Sequence, residues 1–243
     1  NSYAASMGLS NTLFQNSTGL PDGNHFSSAK DLAIMTSLLI DNFPETYSLY
    51  KEKYFTFNNI RQPNRNRLLW KDNSSDGVKT GHTESAGYCL ISSAKRNDMR
   101  LIAVVAGAKS DKERFNDTQR LLEYGFRFYS TQEVIKKDNA LKDVDVWGGK
   151  KNLVSLGAEN NIKLTLPRTT FKNITISYDF QNNLRAPIKE GQTLGTLVIK
   201  DGEKTLHTEN LVALNDVEAK GFFGRLWASL VLWFRGLFGL GDA

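Results

Sequence analysis

At 243 residues, with 40% hydrophobic and 23% charged side chains, the chain can form one large or two modest globular domains. A net charge of +5 suits an acidic polymer or an anionic membrane, yet no run of five like charges occurs. That pattern fits a solvated basic surface and argues against nucleic-acid binding. The single cysteine, Cys89, excludes an internal disulfide, and His25, His82 and His207 are too scattered for a metal site, so neither metal nor cofactor is expected.

The opening residues, "NSYAASMGLSNTLFQNS", have neither the basic start nor the apolar run of a signal peptide, and no initiator Met. The sequence is therefore expected to begin inside a longer polypeptide. "HFSSAKDLAIMTSLLIDNF" predicts a helix capped by Ser27 or Ser28, with Asp31 in its first turn and Leu32, Met35, Leu38 and Leu39 at helical spacing. "YFTFNN" predicts a short strand, and "RQPNRNRLLW" a polar, Pro-broken connection. "GYCLISSA" and "RLIAVVAGA", joined by a polar turn, predict a hairpin with Cys89 as a buried small hydrophobe. "DKERFNDTQRLLEYGFRFYS" predicts a second helix carrying Phe115, Leu122 and Phe126.

From Thr131 to Leu214 the helical period disappears, and short alternating runs such as "IKLTLP", "ITISYDF" and "GTLVIK" take over. Asp201-Gly202 is the strongest two-residue hairpin signal in the chain. Residues 131–214 are expected to form an all-β domain, sandwich or barrel. Residues 215–243 end in "GFFGRLWASLVLWFRGLFGLGDA", which has a broad apolar face and a narrow polar stripe. An amphipathic helix lying in the membrane surface fits this best; a spanning helix and a docked helix are the alternatives.

The chemistry-bearing stretch is "SDGVKTGHTESAGYCL", Ser75 to Leu90. Lys79 can attract a substrate carboxylate, the Thr80 hydroxyl can donate to it, and Gly81 lets a substrate backbone approach a strand edge. The tripeptide alone is weak and also fits a surface turn. Its context is stronger. "GLSNTLFQNSTGL", "SSAKDLA", "YKEKYFTFNNIRQPNRNRLLW", the Lys-Thr-Gly stretch and "GFRF", in that order, resemble the low-molecular-mass penicillin-binding proteins of the D-alanyl-D-alanine carboxypeptidase type. The resemblance covers essentially the whole chain. It implies an α+β fold: residues 1–130 as part of a serine β-lactamase/transpeptidase-like domain, then a sandwich-like β-domain, then a terminal membrane anchor.

The family also carries Ser-x-x-Lys and Ser-x-Asn signatures ahead of Lys-Thr-Gly. Ser27/Lys30 and Ser92/Lys95 satisfy the first by spacing, but both stand in the wrong order, and no Ser-x-Asn occurs between Lys30 and Lys79. Nucleophile and base are thus expected outside these residues. What the resemblance leaves here is the substrate-carboxylate side: Lys79, Thr80, Gly81 and His82, with Arg65 matching a family arginine. His82 reads either as a structural hydrogen-bonder or as a site-edge residue, and Arg65 equally as an exposed loop arginine. The implied activity is removal of the terminal D-alanine from peptidoglycan pentapeptides through a serine acyl-enzyme, with β-lactams as inhibitors. The implied location is the periplasmic face of the inner membrane. A non-catalytic, membrane-tethered binding module is the competing description of the chain by itself.

Overall fold

The computed structural model describes residues 1–180 and 183–221. They divide into two compact units at Ser130/Thr131.

In the N-terminal unit, α1 (Ser2–Ser6) leads through a long loop to α2 (Ala29–Asn42) and the short α3 (Pro44–Tyr47). Ser28 is the residue that caps α2, its hydroxyl accepting from the Asp31 N–H at 3.1 Å. Asp31 is almost wholly buried, and its Oδ2 accepts from the Asn11 N–H and the Thr12 hydroxyl, both at 2.7 Å. The start of α2 is thereby tied to the preceding loop.

The Pro-broken connection expected after residue 60 is more ordered than its sequence suggests. β1 (Tyr54–Phe57) pairs with β2 (Ile60–Pro63), and α4 (Leu68–Lys71) follows. Pro63 terminates β2, where a missing N–H costs no ladder bond.

β3 (Ser75–Thr83), β4 (Gly87–Arg96) and β5 (Met99–Ala108) form an antiparallel sheet in that order, so β3 is an edge strand. α5 (Asp111–Phe128), capped by the Ser110 hydroxyl, packs on β4 and β5. Leu68, Leu90, Leu122 and Phe126 lie at the centre of the resulting core. Each such side chain contributes about 1.5–3 kcal/mol through burial. Cys89, expected in that core, is only half-buried, because it alternates out of it next to Leu90.

The second unit is built of strands. β6 (Tyr129–Ile135), which begins at the boundary, pairs with β9 (Ile162–Pro167). β7 (Lys142–Trp147), β8 (Leu153–Ala158), β10 (Ile174–Phe180), β11 (Leu184–Arg185), β12 (Thr193–Asp201) and β13 (Lys204–Ala213) form a sheet of order β10-β12-β13-β8-β7-β11. Asp201 pairs with Lys204 across the two-residue turn, and Gly202 takes φ +56. One apolar cluster draws on both sheets, with Ile135 and Ile162 from the small one and Val154, Leu197, Ile199 and Leu211 from the large one. This is a sandwich-like arrangement.

The unit continues past Leu214. Val217 is fully buried and bridges Ile188, while Ala219 bridges Gly149. These residues, assigned from sequence to the anchor segment, belong to the β unit: Val217 completes its core and Ala219 extends its backbone pairing. The expected amphipathic helix falls on residues 222–243, outside the described residues. Among the described residues, no helix is long and apolar enough to cross a membrane.

Candidate active site

Lys79, Thr80, Gly81 and His82 are consecutive on β3, whose outer edge is free of any strand partner among the described residues. The pleat sends successive side chains to opposite faces. Thr80 lies opposite the buried Leu90 and is itself nearly buried, Lys79 is exposed on the other face, and His82, on the Thr80 face, is exposed near the end of the strand. Lys79 Nζ folds back onto the Thr80 carbonyl at 2.5 Å. A cation and the strand edge it serves are thus held together.

Two glycines on this strand do different work. A Cβ on Gly77 would sit 2.7 Å from the Tyr47 hydroxyl, so internal packing demands glycine there. A Cβ on Gly81 would meet only Cys89 Cβ, at an ordinary 3.9 Å. The fold therefore has room for a side chain at Gly81, and its absence keeps the edge open to an incoming chain.

The base of β3 is fixed by a polar cluster. Asp76 accepts from the Tyr47 hydroxyl at 2.8 Å and pairs with Arg100 at 2.8 Å, and Arg100 also donates to Ser93 Oγ at 2.6 Å. Burial, ahead of the neighbouring Asp76 charge, raises the Tyr47 phenol well above its ordinary value and keeps it a neutral donor.

Arg65 stands on the loop before α4, exposed and, among the described residues, unpaired. Its neighbours hold the loop. Asn66 is buried and donates to the Gly77 carbonyl at 2.8 Å, and the Asn64 side chain accepts from the Asn66 N–H at 2.9 Å. Arg65 is thereby anchored to the strand two residues ahead of Lys79. His82 stacks on Tyr88 with ring centroids 3.9 Å apart. No hydrogen bond to His82 occurs among the described residues, so a ring contact takes the place of the structural hydrogen bond that was one of its two readings.

Neither Ser-x-x-Lys match forms a nucleophile–base pair. Ser27 lies before the helix and its hydroxyl shares a 2.8 Å hydrogen bond with Thr12, while Lys30 is exposed. Ser92 is buried, donating to the Gly77 carbonyl at 2.8 Å, and Lys95 three residues on in the same strand points to the other face.

The family model described as D-alanyl-D-alanine carboxypeptidase matches residues 1–110, and that described as the C-terminal domain of penicillin-binding protein 5 matches residues 129–219. D-alanyl-D-alanine carboxypeptidase DacC of Escherichia coli strain K12 is 46% identical over 241 residues, 98% of this chain. DacA of the same strain is 42% identical over 242 residues. The chain belongs to the D-alanyl-D-alanine carboxypeptidase family. It spans 60% of the length of both these relatives. Crystal structures of penicillin binding protein 5 from Haemophilus influenzae superpose over 90% of this chain and 64% of theirs, with a TM-score of 0.75 at 40% identity. The carboxypeptidase DacD from Francisella tularensis gives a TM-score of 0.64 at 30% identity, over 90% of this chain and 67% of its own.

Within this member of the carboxypeptidase family, the structure adds site residues that the sequence did not mark. Arg114, on α5, is 6% exposed and donates to the carbonyls of Gly81 (3.0 Å) and Cys89 (3.3 Å). It also pairs with Asp111, lies over the Tyr88 ring, and through Asp111 connects to Arg67 at 2.8 Å. One carboxylate therefore links the strand carrying Gly81 to the loop carrying Arg65. The signal for Arg114 was its charge in an otherwise buried helical register, with Leu122 and Phe126 at intervals of eight and four residues.

Proposed function

We propose that this chain supplies the substrate-carboxylate side and the β-domain of a serine-type D-alanyl-D-alanine carboxypeptidase acting on peptidoglycan pentapeptides. The observation that carries the reading is the open edge of β3, with the Lys79 cation beside it and a glycine at position 81 that the fold does not need. The terminal peptide adds to that edge, Lys79 and Arg65 attract its carboxylate, and Thr80 donates to it. A serine hydroxyl, deprotonated by a lysine, attacks the penultimate carbonyl; the peptide bond breaks and D-alanine leaves carrying the proton. Water then hydrolyses the ester. Serine and lysine come from polypeptide outside these 243 residues. β-Lactams acylate the same serine. The amphipathic sequence of residues 222–243 is, in this reading, an anchor to the periplasmic surface of the inner membrane, and its deletion should release the protein in detergent-free fractionation with acylation intact.

Intact-mass spectrometry with excess benzylpenicillin tests the reading. The 243 residues alone form no penicilloyl adduct, whereas a longer polypeptide carrying Ser-x-x-Lys and Ser-x-Asn acquires one. An adduct on Ser27 of the 243-residue chain would overturn this division of labour.

A further inference from the structure

The hairpin of β1 and β2 has every residue exposed. Among the described residues no layer covers it, and two such strands gain little from their own packing. By register, Phe55 faces Gln62 and Phe57 faces Ile60, which puts all four on one side. Phe55, Phe57 and Ile60 are 68%, 62% and 62% exposed, and the two phenyl planes are nearly parallel at 9°. On the other side the Arg61 guanidinium lies 3.7 Å above the Tyr54 ring, which meets Trp70 edge-on at 6.0 Å. An apolar aromatic surface of this kind marks an interaction site.

Charge narrows the partner. Between Lys51 and Arg67 stand five bases, Lys51, Lys53, Arg61, Arg65 and Arg67, against the single acid Glu52. Arg67 is already engaged by Asp111, which leaves a local excess of three positive charges. The segment is also continuous with the candidate site. The Asn64 N–H donates to the Lys53 carbonyl at 2.8 Å and its side chain to the Glu52 carbonyl at 3.0 Å, closing the base of the hairpin one residue before Arg65. Asn66 then ties the same loop to Gly77 of β3.

We propose that this hairpin is a second substrate contact, engaging the glycan strand and stem-peptide carboxylates of polymeric peptidoglycan beyond the D-alanyl-D-alanine terminus; the proposal rests on the carboxypeptidase reading above. The carbon–hydrogen faces of pyranose rings lie on the flat phenyl platform, whose π faces are electron-rich. The bases meet carboxylates that recur along the polymer. A short acyl-D-alanyl-D-alanine peptide has no sugar face to offer and engages β3 and Arg65 alone.

The test uses the complete polypeptide and two variants, Phe55→Ser/Phe57→Ser and Arg61→Gln. D-alanine release from purified pentapeptide-rich sacculi should fall about tenfold in the double variant and less in Arg61→Gln, while kcat/KM on a short acyl-D-alanyl-D-alanine peptide changes less than about twofold. Co-sedimentation with sacculi, which needs no turnover, should weaken in parallel. Equal losses on both substrates, unchanged sacculus binding, or preferential binding to anionic phospholipid vesicles would each overturn the proposal. So would a large fall in melting temperature, which would show the aromatic face to be covered within the folded protein. If the wild type fails to release D-alanine from the short peptide, the carboxypeptidase reading fails, and co-sedimentation still decides the hairpin by itself.

Discussion

Among the described residues of the β unit, thirteen buried side chains form one cluster, with nine more apolar residues packed around it. In the N-terminal unit the corresponding cluster has seven buried members with three packed against them. There α2 turns Met35, Leu38 and Leu39 toward Tyr3, Phe14 and Phe43 around an apolar hollow of about 330 Å³. The hollow of about 500 Å³ beside β13 is instead bordered by Lys137, Asp138 and Glu190. Among the described residues one unit closes its apolar core, whereas the other, part of a larger domain in the proposed reading, leaves apolar and edge-strand surface open. Polar clamps also tie the elements of the N-terminal unit together: Asp31 on the α2 loop, Asp76 at the base of β3, Arg114 beneath Gly81.

The sharpest way to break that contrast is to remove one anchor from each unit. Arg114→Ala strips the donor from two carbonyls and should cost about 3 kcal/mol. Leu197→Ala empties a fully buried position of the β unit and should cost about 2–5 kcal/mol. Urea unfolding should detect both losses. Only Arg114→Ala should also slow penicillin acylation in the complete polypeptide, because of the two residues only Arg114 holds β3. Equal acylation by the two variants would remove Arg114 from the site.

The same contrast governs what could be read in advance. α2 and α5 announce themselves by apolar spacing and by Ser28 and Ser110 ahead of acidic first turns, and β12–β13 by Asp201-Gly202. These signals are local. β2 and α4 look like connection in sequence because each is four residues long, and β2 is exposed on both faces, leaving no period-2 pattern. What Arg114 and Asn66 hold is illegible for another reason: the buried register marks Arg114, but the partners of both are backbone carbonyls of Gly81, Cys89 and Gly77, which carry no residue-type signature. Val217 escaped because its strand bridge is isolated, so a single apolar residue looked like the approach to the tail.

A smaller effect on stability separates Lys79 and Gly81 from Gly77. Lys79 is exposed and bonds only its own strand among the described residues, so Lys79→Ala should melt within a few degrees of the wild type. In the proposed function, its loss of a charge-assisted contact to substrate should lower kcat/KM of the complete polypeptide by roughly 10- to 100-fold, equivalent to about 1.5–3 kcal/mol. Gly81→Ala should fold normally and lose activity in the same assay, whereas Gly77→Ala should destabilise by displacing Tyr47. Retained D-alanine release in Lys79→Ala would place the carboxylate pocket elsewhere.

Acid should unfold the N-terminal unit before the β unit. The Thr12 hydrogen bond, opposed by burial and helped by the Asn11 N–H, holds Asp31 below the ordinary aspartate range. At Asp72 burial pushes upward, but the Ser74 hydroxyl and N–H together with Arg96 outweigh it, and the carboxyl again ends below its ordinary value. Unfolding returns both groups to about 3.9, so the unfolded chain binds more protons in the interval beneath that value. Their contribution is fully present above about pH 4 and is lost as pH falls through the depressed folded values. Glu218 of the β unit is also held low, by the hydrogen bond from Lys150, but that pair is 64% and 71% exposed and solvent screens it. Variants retaining only Trp70 or only Trp147 should therefore report different acid limbs in urea titrations from pH 6 downward. The Trp70 midpoint should fall more steeply below about pH 4, and Asp31→Asn/Asp72→Asn should flatten it toward the Trp147 curve. Superimposable curves in the parent would mean that the two units unfold as one, and a steeper Trp147 limb would assign the acid-sensitive carboxylates to the β unit.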